Sequence, residues 1–116
     1  MSKTAHYAGA RWAGSVTFRD PLYLPDALAI EEAQELAEKS REETATVSTV
    51  TKIHSAWLPV ICAVVEKWEL ADFPADPSPA TFPGSPRIEA AKLVAWLIGQ
   101  VMEIYQGDAE RVDPNG

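Results

Sequence analysis

The stretch Ile53-His54-Ser55-Ala56-Trp57-Leu58-Pro59-Val60-Ile61-Cys62-Ala63-Val64-Val65-Glu66-Lys67-Trp68 carries the strongest periodic signal in the chain. Ile53, Trp57, Val60, Ile61, Val64, Val65 and Trp68 recur at spacings of three and four residues, which puts side chains on one face of an α-helix. The spacing predicts a helix through Trp68. Pro59 removes one amide and its ring crowds the carbonyl of Ser55, so a kink or a restart is expected near Leu58.

Working outward toward the N-terminus, Thr44-Ala45-Thr46-Val47-Ser48-Thr49-Val50-Thr51 is rich in β-branched and hydroxyl-bearing residues that favour caps and turns. A break between two helices is expected there. Before it, Asp26 to about Glu43 consists of good helix formers, opened by Leu24-Pro25-Asp26: proline tolerates the first turn and an acid faces the positive end of the helix dipole. Leu24, Leu28, Ala29, Glu32, Ala33, Leu36 and Ala37 give that helix a thin, largely apolar stripe and leave more than half of it exposed. Upstream again, Trp12, Val16 and Phe18 fall on even positions with polar residues between them, the pattern of a short strand with one buried face. Gly9 and Gly14 mark bends, and Asp20-Pro21 ends the strand.

Toward the C-terminus, five of the fourteen residues from Phe73 to Pro86 are proline, which predicts a stiff, extended connection pinned by Phe73 and Phe82. Ser85-Pro86 reads as an N-cap followed by proline at the first helical position, and the last helix is expected to run to about Gln106 and stop at Gly107. Its run Leu93-Val94-Ala95-Trp96-Leu97-Ile98 is apolar on several faces at once, so this helix is either central to the fold or part of an interface. The expectation is a mainly α protein of one domain over residues 1–116. It has three main helices, a short N-terminal strand or hairpin, a proline-rich connection before the last helix, and flexible tails at 1–10 and 108–116.

Composition narrows the function. Seventeen acidic against ten basic residues leave a net charge of -7, which repels the phosphates that supply most nucleic-acid affinity, so no nucleic acid is expected as partner. The apolar run Ala56 to Val65 is about half the ~20 residues needed to cross a bilayer and contains Pro59, so no membrane partner is expected either. The start Met1-Ser2-Lys3-Thr4 lacks the apolar stretch of a secretory signal, so a cytoplasmic location is expected. Cys62, the single cysteine, forms no internal disulfide and reads as a small core hydrophobe.

Reactive chemistry finds little footing. His6, His54 and Cys62 do not combine at metal-ligand spacing, and no cofactor or metal is expected. On one helix His54 and Cys62 would stand ~12 Å apart, too far for a dyad. Glu31 with Glu35, Glu32 with Glu35, and Glu66 with Glu69 read as solvated helix surface, and the PxxP spacings in Pro74-Ala75-Asp76-Pro77 and Pro83-Gly84-Ser85-Pro86 read as a stiffened linker. No catalytic residue is assigned. The tryptophans say more. Trp57, Ile61, Val64, Trp68, Trp96 and Met102 are expected to line the core or a partner-binding groove beside it.

In segment order the chain resembles the small tail assembly chaperones of long-tailed bacteriophages. The resembling stretches are Val16-Thr17-Phe18-Arg19-Asp20-Pro21-Leu22-Tyr23-Leu24, Leu58-Pro59-Val60-Ile61 with Val65-Glu66-Lys67-Trp68-Glu69-Leu70, Thr81-Phe82-Pro83-Gly84-Ser85-Pro86-Arg87, and Trp96-Leu97-Ile98 through Ile104-Tyr105 to Pro114-Asn115. They span most of the chain from Val16 onward. The resemblance implies a mostly helical, non-enzymatic protein of the infected host cytoplasm that binds the tape-measure protein and keeps its hydrophobic helices soluble during tail assembly. It also implies that a longer product can arise by programmed frameshifting, and that the chaperone is absent from the finished virion. A structural tail or head-tail connector subunit is the alternative. A regulator that binds a host protein is a third. The oligomeric state stays open, because surplus apolar surface serves a homo-oligomer as readily as a partner.

Overall fold

Trp68, expected at the end of a helix, lies on a strand. The computed structural model describes residues 2–42, 47–74, 77–78 and 87–111, with side chains at 2–39, 52–74, 77–78 and 89–107. Its elements are β1 (Ser2–Tyr7), β2 (Gly14–Arg19), α1 (Leu24–Glu42), α2 (Val47–Val64), β3 (Val65–Leu70) and α3 (Arg87–Arg111). The three strands form one antiparallel sheet in the order β1-β2-β3. The fold is therefore mixed helix and sheet, which corrects the mainly α expectation with its single strand or hairpin.

The physical reason lies in β3. Thr17 pairs with Lys67 but Phe18 pairs with Val65, so the register slips by one residue and Glu66 is the extra one on β3. Such a bulge breaks the two-residue alternation and returns Val65 and Trp68 to the same face. A spacing of three inside a bulged strand mimics helical periodicity. The β-branched pair Val64-Val65 favours the switch to extended chain, and Arg19 Nη2 donates to the Ala63 carbonyl at 2.9 Å, covering one of the open acceptors at the end of α2.

Pro59 does not divide α2, which is one helix from Val47 to Val64. Proline inside a helix costs about 3 kcal/mol. Trp57, Val60, Ile61 and Val64 are buried on the same helix, and each contributes roughly 1.5–3 kcal/mol by leaving water. Together they outweigh the proline, whose ring lies on the exposed side. The helix also takes in Val47 to Thr51, where a break was expected; residues 44–46 of that stretch lie outside the described residues.

Residues 1–10, read from the sequence as a tail, contain β1, whose Ala5 pairs with Val16 and Tyr7 with Gly14. Lys3, Ala5 and Tyr7 share the inner face with Val16, Phe18, Val65, Trp68 and Leu70. The outer face is polar: Thr4 and Thr17 hydroxyls meet at 3.1 Å, and Ser2 Oγ donates to Glu66 at 2.6 Å. Lys67 and Ser15 donate to Glu69 and hold its carboxyl below the usual carboxylate range. Gly14 is required where β2 passes β3, because a Cβ there would meet the Glu69 carbonyl oxygen at 2.1 Å.

The core lies between the inner sheet face and the helices, and its fully covered side chains include Phe18, Ile30, Ile61, Leu93, Leu97 and Val101. Phe73 is half-buried, stacked on Trp68 at 5.1 Å and edge-on to Trp12 at 5.6 Å, so the start of the proline-rich connection is pinned as expected. Phe82, Ser85 and Pro86 lie outside the described residues, as do most positions of the two PxxP spacings. α3 continues past Gly107 to Arg111, so Gly107 does not cap it. No described helix is long and apolar enough to cross a membrane.

Candidate functional site

α1 and α3 both flank α2, and between them lies a groove of about 380 Å³. α2 supplies its floor with Ile53, His54 and Trp57; α1 gives one wall with Gln34, Ala37 and Glu38; α3 gives the other with Ala95, Ile98 and Met102. The volume is at the low end of the roughly 300–1,000 Å³ of ligand clefts, enough for a few side chains inserted from another segment. Each lining set follows from helical spacing: Gln34 and Glu38, Ile53 and Trp57, and Ala95, Ile98 and Met102 recur every three or four residues.

The walls are tied together beside Met102, whose sulfur accepts a hydrogen bond from Gln34 Nε2 at 3.2 Å. Tyr105 strengthens that link from one turn further along α3: burial, then the charge of Glu31 and a hydrogen bond donated to it, raise its hydroxyl pKa. Glu31, Glu35 and Glu38 run along the exposed side of α1 at spacings of four and three, so the apolar groove has an acidic lip. His54 is partly buried in the floor, and that burial lowers its pKa from 6.5 because the charged imidazolium loses hydration.

The six residues singled out from the sequence are dispersed. Trp57 is buried and Met102 half-buried, both in the groove. Ile61 and Val64 are wholly interior. Trp68 sits on the sheet's inner face against Phe73. Trp96 turns to the sheet, with ring centroids 5.1 Å from Tyr7 and 6.4 Å from Phe18. Ile53, Ile98, Gln34 and Glu38 complete the groove. Ile53 stood in the periodic stripe and Ile98 in the apolar run of α3, but nothing in the sequence indicates which side of that run stays uncovered.

A second surface lies on α1. Tyr23, Leu24, Leu28 and Leu36 are large apolar side chains left more than 40% exposed. Cys62 is half-buried, and burial raises its thiol pKa; it sits eight residues beyond His54 on the continuous α2 and is not among the groove's lining residues. Among the described residues, no group of three or more His, Cys, Asp or Glu is placed to hold a metal. No family model, curated protein or solved structure matches the chain.

Proposed function

We propose that the chain is a non-enzymatic binding protein that holds apolar helical segments of another protein. With the resemblance noted above, the reading becomes a tail assembly chaperone for the tape-measure protein in the cytoplasm of the infected host. The observation that carries it is the groove over Trp57, whose mostly apolar lining from three helices suits the side chains of an incoming amphipathic helix. Such a site lowers the free energy of a partner helix that would otherwise expose its stripe to water.

Co-expression with a tape-measure fragment tests this. The chain should raise the fragment's soluble fraction, and Ala95→Trp should abolish the gain, because Ala95 is exposed on the groove wall and a tryptophan there fills it. An unchanged soluble fraction with the wild-type chain contradicts the reading.

The alternative, a structural tail or connector subunit, draws support from the exposed Tyr23, just before α1, and the exposed Leu24 and Leu28 in its first turns, surface of a kind an assembly contact uses. Mass spectrometry of purified virions separates the two: a structural subunit persists there and a chaperone does not.

A further inference from the structure

Within the helix-holding reading, on which this rests, the charge around the groove specifies the partner's chemistry. We propose that the groove takes a cationic amphipathic helix, its apolar stripe seated against Trp57, Ile98 and Met102 and its flanking lysines or arginines against Glu35 and Glu38.

Glu38 lines the groove itself, and Glu35 and Glu31 continue the same side of α1 at helical spacing. Glu31 already accepts from Tyr105. Among the described residues the ion pairs are Lys3 with Glu103, Arg19 with Asp26, and Lys67 with Glu69, and neither Glu35 nor Glu38 takes part in one. The α3 residues that line the groove, Ala95, Ile98 and Met102, are uncharged, and Lys92 stands exposed one turn before Ala95. A partner helix laid between the walls therefore meets Glu38, followed by Glu35 and Glu31, along the α1 flank, and uncharged lining with Lys92 at one end along the α3 flank.

Other occupants fit less well. A second copy presenting its own α1 would set glutamate against glutamate on top of a net charge of -7 per chain. An anionic peptide or membrane surface meets the same repulsion. An amphipathic helix with a lysine or arginine three or four residues from its apolar anchor gains attraction at the lip while its apolar residues are desolvated in the groove. Exposed ion pairs are individually weak, so a couple of them give roughly three- to tenfold in affinity.

Two synthetic helical peptides with one shared apolar face test the proposal by calorimetric titration of the full chain, one flanked by lysines and one by glutamates. The lysine peptide should bind about three- to tenfold more tightly at low salt, and the preference should shrink at high salt. It should also shrink in the double variant Glu35→Gln, Glu38→Gln, which changes only exposed side chains and leaves the core intact. Equal binding of both peptides overturns the cationic preference and leaves the helix-holding reading in place. A lysine preference undiminished in the double variant overturns the placement at the α1 lip. Binding of neither peptide removes the helix-holding reading as well.

Discussion

Arg19 Nη1 meets Asp26 Oδ2 at 2.7 Å, and the pair joins three elements at one point. The Asp26 carboxylate also accepts the Tyr23 amide at 3.0 Å, closing the first turn of α1 in the manner of a capping box. The other arm of Arg19 holds the Ala63 carbonyl, and its guanidinium lies 4.5 Å from the centre of the Tyr23 ring. The end of β2, the start of α1 and the end of α2 are thereby fixed together. The side chain of Asp26 is only 7% exposed against 27% for Arg19, so the carboxylate depends on its partner more than the guanidinium does.

Replacing Arg19 should therefore cost more than neutralising Asp26. Arg19→Met strands a buried carboxylate and is expected to lower stability by about 3 kcal/mol. Asp26→Asn keeps an oxygen for the Tyr23 amide and should cost about 1–2 kcal/mol. Urea unfolding followed by circular dichroism measures both; a reversed order contradicts the account.

Gly14→Ala should destabilise the protein by about 2 kcal/mol or more, because the added methyl group collides with the Glu69 backbone that β2 must approach. Hydrogen exchange should show lost protection across the β2–β3 pairing and much less change in α3.

The six sequence-selected residues should separate by measurement. Ile61→Ala empties a fully covered position and should cost about 2–5 kcal/mol. Met102→Leu, a volume-conserving change at the half-buried groove wall, should cost less than about 1.5 kcal/mol while changing peptide affinity. Thermal unfolding paired with peptide titration checks both.

Acid should weaken the fold through His54. Burial lowers its folded pKa below 6.5, so the unfolded chain takes up a proton there first. This contribution is complete above the unfolded value and is lost as pH falls from about 6.5 toward the folded value. Glu38 from α1 is the charged group sharing the groove, and α3 contributes none to its lining. His54→Gln should flatten the fall in urea midpoint between about pH 7 and 5.

The raised thiol pKa predicts slow alkylation of Cys62 by iodoacetamide at about pH 8, where an unperturbed cysteine reacts through its thiolate. Urea should remove the protection. Equal rates with and without urea would contradict the half-buried placement.

Legibility in the sequence followed the length scale of the signal. α1 was readable because Asp26 and the helix formers after it act locally, and β2 because Val16 and Phe18 alternate with polar residues. β3 was misread because its bulge gives Val65 and Trp68 a spacing of three. β1 carries only Lys3, Ala5 and Tyr7 on its inner face, too weak an alternation to announce a strand whose existence depends on pairing with β2. The groove was half visible: Trp57 and Met102 stood out as large apolar residues, but its opening is set by how α1 and α3 lie across α2, a tertiary outcome that periodicity within one helix does not encode.

The most direct test of the helix-holding account is an NMR titration with methyl-labelled methionine, which places a reporter on Met102 in the groove wall. Adding a tape-measure fragment or the lysine-flanked peptide should shift the Met102 methyl resonance in a saturable way, and Ala95→Trp should suppress the shift. A Met102 signal that stays put while the fragment binds elsewhere, or a fragment that does not bind at all, would contradict it.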